Sequence, residues 1–253
     1  MPEEISKRTV VCPAPGVDDV IVRRDVSWTS GLTMDLYHPP GAKSGKLPAI
    51  VIVGGYPDPG FEKFVGCKFK DMGSTTSWAR LFAASGVAAI AYVNRDPATD
   101  LHTLMSYLRH NAASLQIDAT RIAVWASSGN VPVALSLLLR DSKLQPKCAV
   151  FCYGYTLNVA EEAAKFHFAN PCAGKSIEDL ADGIAIFVAR AGRDETPRLN
   201  ETLDRFVLQA IQRNLPLTFV NHPTGPHAFD LFDDSRTTRD IVNQTLDFVR
   251  QRV

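Results

Sequence analysis

No apolar run in this 253-residue sequence is long enough to cross a bilayer. The opening residues, Met1-Pro2-Glu3-Glu4-Ile5-Ser6-Lys7-Arg8, also lack the apolar stretch of a secretory signal. The expectation is a cytoplasmic protein with no membrane partner. Charge of one sign is missing as well. With 27 basic and 27 acidic residues there is no net field to steer a polyanion, which argues against nucleic acid and for a small or neutral ligand.

The cysteines, Cys12, Cys67, Cys148, Cys152 and Cys172, are five in number and form no CxxC pair, so no disulfide framework is expected and a reducing compartment suits them. Cys148 and Cys152 flank Ala149-Val150-Phe151 in an expected central strand and read as buried spectators. His38, His102, His110, His167, His222 and His227 show neither HExxH nor any paired-ligand spacing, so no metal is expected. A dinucleotide site would need GxGxxG after the first parallel strand. Gly54-Gly55-Tyr56-Pro57-Asp58-Pro59-Gly60 puts prolines where N–H groups should face phosphates, and no cofactor is expected.

What is present is alternation of strand and helix. At 45% hydrophobic content the chain can bury a full core. Residues 20–37 alternate like antiparallel strands and predict an entry hairpin at a sheet edge. Ala49-Ile50-Val51-Ile52-Val53 is a β-branched run suited to burial on both faces of a parallel sheet, and it ends in the glycine- and proline-rich loop just quoted. Phe61 to Thr76 reads as an irregular, substrate-facing flap, Ser77 to Gly86 as a helix ended by its glycine, and Val87 to Val93 as the next strand. Leu101, Leu104, Met105 and Leu108 lie at helical spacing within 100–115. Further strands at 148–152, 184–188 and 215–220 and helices carrying Leu199, Leu203 and Phe206, then Ile241 and Phe248, complete the series. No repeat or low-complexity linker interrupts it. The pattern predicts an α/β fold, a doubly wound and mostly parallel sheet with antiparallel N-terminal edge strands, in one domain over 1–253.

The stretch Ile122 to Leu135 runs from a buried strand straight into a helix with serine at the joint. Such a turn lifts one side chain clear of the sheet edge, and the helix behind it offers unpaired N–H groups to a developing negative charge. Its known form is G-x-S-x-G, with small residues two before and two after the serine because the backbones nearly touch. Here the five are Ala126-Ser127-Ser128-Gly129-Asn130. Choosing Ser127 as nucleophile would put Trp125 at a close-contact position with no room for an indole, so Ser128 is preferred. The plainer alternative is a polar loop with serine as a helix cap.

A serine alcohol needs a base to take its proton and a carboxylate to orient that base. In folds of this kind the order is Ser, Asp or Glu, then His, each on a loop after a later strand. Asp194 in Ala191-Gly192-Arg193-Asp194-Glu195 and His227 in Pro223-Thr224-Gly225-Pro226-His227 fall in that order. Taken alone, each reads as a surface-loop residue. Glu195 could serve in place of Asp194, and His222 competes with His227 but lies close to the strand end. Asp230 reads as a structural loop residue. A histidine base predicts activity that falls as pH drops through about 6 to 7.

Together these segments resemble the α/β hydrolases of the dienelactone-hydrolase and carboxylesterase type, over about residues 32–250. The resemblance rests on the Ala49 to Tyr56 strand and loop, the lead-in Ile117-Asp118-Ala119-Thr120-Arg121-Ile122, Gly192-Arg193-Asp194 and His227-Ala228-Phe229. It implies Ser128 as nucleophile, His227 as base, Asp194 as orienting acid, and an oxyanion hole from the backbone N–H of Gly129 with one from Tyr56 or Gly55. It departs from the family where Gly54-Gly55-Tyr56 replaces the frequent His-Gly-Gly and where Asn130 takes a glycine position. The implied activity is hydrolysis of a carboxylic ester, lactone or related acyl bond in a small-molecule substrate. Phe61, Trp78 and Phe166 are candidate pocket walls. A non-catalytic ligand binder of the same fold, and a triad enzyme for peptide, acyl-transfer or carbon–carbon chemistry, are the alternatives, and the sequence leaves a homodimer open.

Overall fold

A computed structural model describes residues 2–42 and 45–253. Of the span 1–253 read above as one domain, Met1, Lys43 and Ser44 lie outside the described residues. In chain order the elements are α1 (Pro2–Lys7), β1 (Ile21–Thr29), β2 (Leu32–His38), β3 (Leu47–Ile52), α2 (Asp58–Val65), α3 (Gly73–Ala84), β4 (Ala88–Tyr92), α4 (Pro97–His110), β5 (Ile117–Ser127), α5 (Val131–Ser136), β6 (Cys148–Cys152), α6 (Ala160–Phe166), β7 (Ala185–Ala191), α7 (Leu199–Gln212), β8 (Leu217–His222), α8 (Phe229–Phe232) and α9 (Arg236–Arg250). Short 3₁₀ turns precede α3, α5 and β7.

The eight strands form one sheet in the order β1-β2-β4-β3-β5-β6-β7-β8. β1 and β2 form the expected hairpin across Ser30-Gly31, and β2 lies antiparallel on β4, while every pairing from β4 to β8 is parallel. The α/β, doubly wound reading with antiparallel N-terminal strands therefore matches the architecture.

Strand periodicity explains why both faces are covered. Along β3, Ala49 and Val51 face the layer holding α4, α5 and α7, whereas Ile50 and Ile52 face the layer holding α3 and α9. β5 repeats the division, with Val124 and Ala126 on the first side and Ala123 and Trp125 on the second. Leu101, Leu104, Met105 and Leu108 of α4 bury completely on that first side, and the helix starts where it should: Asp96 accepts the Thr99 N–H and Pro97 occupies the first turn. Each such buried side chain contributes about 1.5–3 kcal/mol. Cys148 and Cys152 are buried in β6 as expected, and all five thiols are free.

Three expectations need correction. The segment 61–76 is not irregular: α2 already covers 58–65 and α3 begins at Gly73. Pro59 does not prevent α2 because it sits in the first turn, where its missing N–H has no intrahelical acceptor to lose. Trp78 is no pocket wall. It is 2% exposed, stacks on Phe82 at a ring separation of 5.4 Å, meets Trp125 at a tilt with rings 5.1 Å apart, and belongs to the α3–α9 side of the core. The third is Gly55, whose N–H is already bonded to Asn130 Oδ1.

Candidate active site

β5 stays extended to Ser127 (φ −133°, ψ 156°), and the next residue, Ser128, swings to φ 55°. A non-glycine residue in the left-handed region costs about 1–3 kcal/mol and persists only where its surroundings impose it. The surroundings here are tight. A Cβ on Gly154 would come within 2.2 Å of Val131 Cγ2 and 3.1 Å of the Ser128 carbonyl oxygen, so the chain leaving β6 passes directly against the elbow. Tyr155 then donates its N–H to that same carbonyl at 3.2 Å. Ser128 is left half-buried, with its Oγ turned to the cleft above the strand ends.

The loops after β7 and β8 are joined to each other before either reaches Ser128. The His222 carbonyl accepts N–H groups from Gly192 at 2.8 Å and Gly225 at 3.1 Å, and the Arg193 N–H donates to the Gly225 carbonyl at 2.9 Å. A Cβ at Gly192 would lie 2.5 Å from the Pro223 oxygen, so glycine is what allows the two loops to touch. This zipper carries Asp194 and His227 to one place.

His227 Nε2 lies 3.1 Å from Ser128 Oγ, and His227 Nδ1 lies 2.6 Å from Asp194 Oδ2. Both separations fall within hydrogen-bond reach for proton transfer. The other Asp194 oxygen accepts the Thr196 N–H at 2.9 Å, and Thr196 Oγ1 stands 3.4 Å from His227 Nδ1. The Asp194 side chain is fully buried and that of His227 is 35% exposed. Burial alone would raise the Asp194 carboxyl, but hydrogen bonds and charge from His227, with those from Thr196, outweigh it and hold the group below its ordinary value. Glu195 is exposed and takes no part. Nor does His222, which is buried and bonded through Nε2 to Asp233 at 2.7 Å and to Thr238 at 3.0 Å.

Gly55 departs from the expectation. Its N–H donates to Asn130 Oδ1 at 2.7 Å and is not free to receive an oxyanion. The Tyr56 N–H has no acceptor among the described residues. A Cβ at Gly129 would lie 2.4 Å from the Tyr56 hydroxyl, so the phenol covers that glycine, and burial pushes its pKa up to about 12.

A cavity of about 770 Å³ opens on Ser128 and Thr196. Tyr56, Pro57, Phe61, Phe64, Val65, Tyr155 and Phe166 line it, with Lys165 and His167 at its edge. Phe61 and Phe166 line it, as do Phe64 and Val65 from the 61–76 stretch and Tyr155 after β6. Tyr155 stacks on Phe166 and Phe168 at 6.2 and 5.2 Å. Among the described residues no cluster of three His, Cys, Asp or Glu side chains is placed to hold a metal ion, and no helix is long and apolar enough to cross a membrane.

No family model and no curated protein sequence matches the chain. Solved structures do. An α/β hydrolase enzyme from a Medee basin deep-sea metagenome aligns over 92% of this chain and 99% of its own, at 21% identity and TM-score 0.66. A thermophilic esterase of the Planctomycetes species Thermogutta terrifontis, with butyrate bound, covers 94% and 95% at 17% identity and TM-score 0.68. An ester hydrolase from the metagenome of Lake Arreo covers 98% and 87% at 19% identity and TM-score 0.73. The fold is that of the α/β hydrolases. At these identities the likeness speaks to architecture alone.

Proposed function

We propose that the protein is a serine hydrolase of carboxylic esters, acting through an acyl-enzyme on Ser128. The observation that carries this reading is the continuous contact from Ser128 Oγ to His227 Nε2 at 3.1 Å and from His227 Nδ1 to Asp194 Oδ2 at 2.6 Å. In this reading His227 takes the Ser128 proton as Oγ attacks the acyl carbon, then returns it to the departing alkoxide. Asp194 fixes the tautomer with Nδ1 protonated and stabilises the imidazolium. The N–H groups of Gly129 and Tyr56 receive the oxyanion, each such donor typically contributing roughly 3 kcal/mol to the transition state. Water, activated by the same histidine, releases the acid.

The aromatic lining of the cavity supports a small-molecule ester with an apolar acyl part, and the neighbours named as esterases support ester over amide. A lactone, being an internal ester, is open to the same chemistry. Five free cysteines support a reducing, cytoplasmic setting. The test is turnover of p-nitrophenyl butyrate together with fluorophosphonate labelling. Both should disappear in Ser128→Ala with the fold intact, and turnover retained by that variant overturns the assignment.

A further inference from the structure

Beneath His227 lies a second carboxylate that the reaction just described does not use. Asp230 is 2% exposed. Its Oδ1 accepts the Tyr153 hydroxyl at 2.6 Å and its Oδ2 accepts Trp78 Nε1–H at 2.7 Å. The indole N–H can only donate, and an O–H contact of 2.6 Å is in the range found when the acceptor is ionised, so this pair of donors fits the carboxylate form. The Tyr153 ring in turn meets the His227 ring edge-on, with centroids 5.2 Å apart and planes at 69°. Tyr153 is held there by a backbone at φ 36°, a strained value for a tyrosine.

We propose, granting the hydrolase reading, that Asp230 is a positioning residue for His227: through Tyr153 it fixes the imidazole against Ser128, and its buried charge favours the imidazolium formed when Ser128 is deprotonated. The geometry is suited to such a role. Burial of a carboxylate between two neutral donors is costly unless a positive charge is near, and the group beside it that becomes positive is His227, whose charge acts on Asp230. Burial raises the Asp230 carboxyl, and the bonds from Tyr153 and Trp78 oppose that rise.

The groups facing this pair are known. Ser128, Asp194 and Thr196 reach His227 from the elbow and from the loop after β7. Around Asp230 stand Tyr153 and Cys152 at the end of β6, and Trp78 on α3. The Cys152 thiol is itself raised by burial and by the Asp230 charge, so it stays neutral and adds no charge of its own.

The experiment is the pH dependence of kcat and KM for p-nitrophenyl butyrate in the wild type, Asp230→Asn and Tyr153→Phe, with fluorophosphonate labelling alongside. Asp230→Asn keeps the shape and removes the charge. It should lower kcat about tenfold with KM little changed, and move the acidic limb of the profile about one unit down, because the imidazole has lost a favourable partner. Tyr153→Phe should shift the limb the same way by less. A folded Asp230→Asn whose limb stays at the wild-type position overturns the inference and leaves Asp230 a packing residue. Should Asp230→Asn fail to fold, Tyr153→Phe decides on the same criterion. A wild type inert to both ester and fluorophosphonate sinks the hydrolase reading itself, a different result from an active wild type with an unmoved limb.

Discussion

Asn130 Oδ1 accepts the Gly55 N–H at 2.7 Å and thereby ties the loop after β3 to the turn that presents Ser128. The position is two residues past the serine, where the family's pattern has glycine. The reason a larger residue fits is visible at Gly55, where a Cβ would lie 2.6 Å from both Asn130 Cα and the Gly129 oxygen. The space that a glycine at 130 would normally provide is supplied from the opposite side, by Gly55.

This tie predicts the behaviour of two variants. Asn130→Ala leaves the buried Gly55 N–H without an acceptor, which should cost about 1–3 kcal/mol of stability and lower ester turnover by misplacing Tyr56. Asn130→Asp retains an acceptor oxygen and should recover much of both. Denaturant unfolding and p-nitrophenyl butyrate assays on the pair provide the check, and equal losses in the two variants would dissociate the hydrogen bond from the effect.

Asp194→Asn should lower kcat by roughly 10⁴-fold without displacing the backbone, because an amide can hold the ring in the wrong tautomer. Its effect on stability has a pH sign. The Asp194 carboxyl lies below its ordinary value in the folded state, so it stabilises the fold above the unfolded-state pKa of about 3.9 and loses that contribution as pH falls through the folded-state value. The stability gap between wild type and Asp194→Asn is therefore expected to be full at neutral pH and to close below about pH 4. Unfolding titrations through the carboxylate range into strong acid measure it; a gap that stays open after the carboxylate is protonated in both states contradicts this account.

Much of this is legible in the sequence, and what is not has identifiable physical causes. The β-branched run at 49–53 and the stripe of α4 announce themselves because their periodicity is a property of a single segment. The order of Ser128, Asp194 and His227 is readable because topology brings the ends of β5, β7 and β8 to one rim. Trp78 is misplaced by the sequence because periodicity locates a helix but not which indole lies under the sheet. Its spacing to Leu81 and Phe82, three and four residues on, is the stripe that would have found it. The role of Gly55 is hidden for another reason: an asparagine side chain 75 residues away consumes its N–H, and no local pattern records such a bond. Asp230 reads as a loop residue because nothing in 227–232 reveals that Tyr153 and Trp78 converge on it.

Gly154→Ala tests how closely the elbow is braced. The new methyl would collide with Val131 Cγ2 at 2.2 Å and crowd the Ser128 carbonyl at 3.1 Å, so overpacking of about 1–3 kcal/mol and a loss of turnover are expected. Val131→Ala in the same molecule removes the 2.2 Å contact but keeps the Cβ of residue 131 at 2.8 Å, so it should relieve only part of the damage. Thermal unfolding and ester kinetics of the single and double variants decide the point, and a double variant no better than Gly154→Ala would locate the strain in that Cβ and in the Ser128 carbonyl rather than in the Val131 methyls.

Phe64 offers a separation of binding from folding. It is 77% exposed, yet it stands at the mouth of the cavity beside Phe61 and Val65. A side chain so exposed contributes little to the fold, and Phe64→Ala should change stability by less than about 0.5 kcal/mol. Against a substrate it has another use: covering part of an apolar acyl chain with a phenyl ring removes surface from water, worth about 1 kcal/mol for a few tens of Å². That amounts to roughly a fivefold loss in kcat/KM for p-nitrophenyl hexanoate. The acetate ester offers far less apolar chain to cover and should lose much less. Measuring both esters on wild type and variant compares the two directly. An equal loss for acetate and hexanoate would mean that Phe64 acts on the elbow and not on the acyl chain.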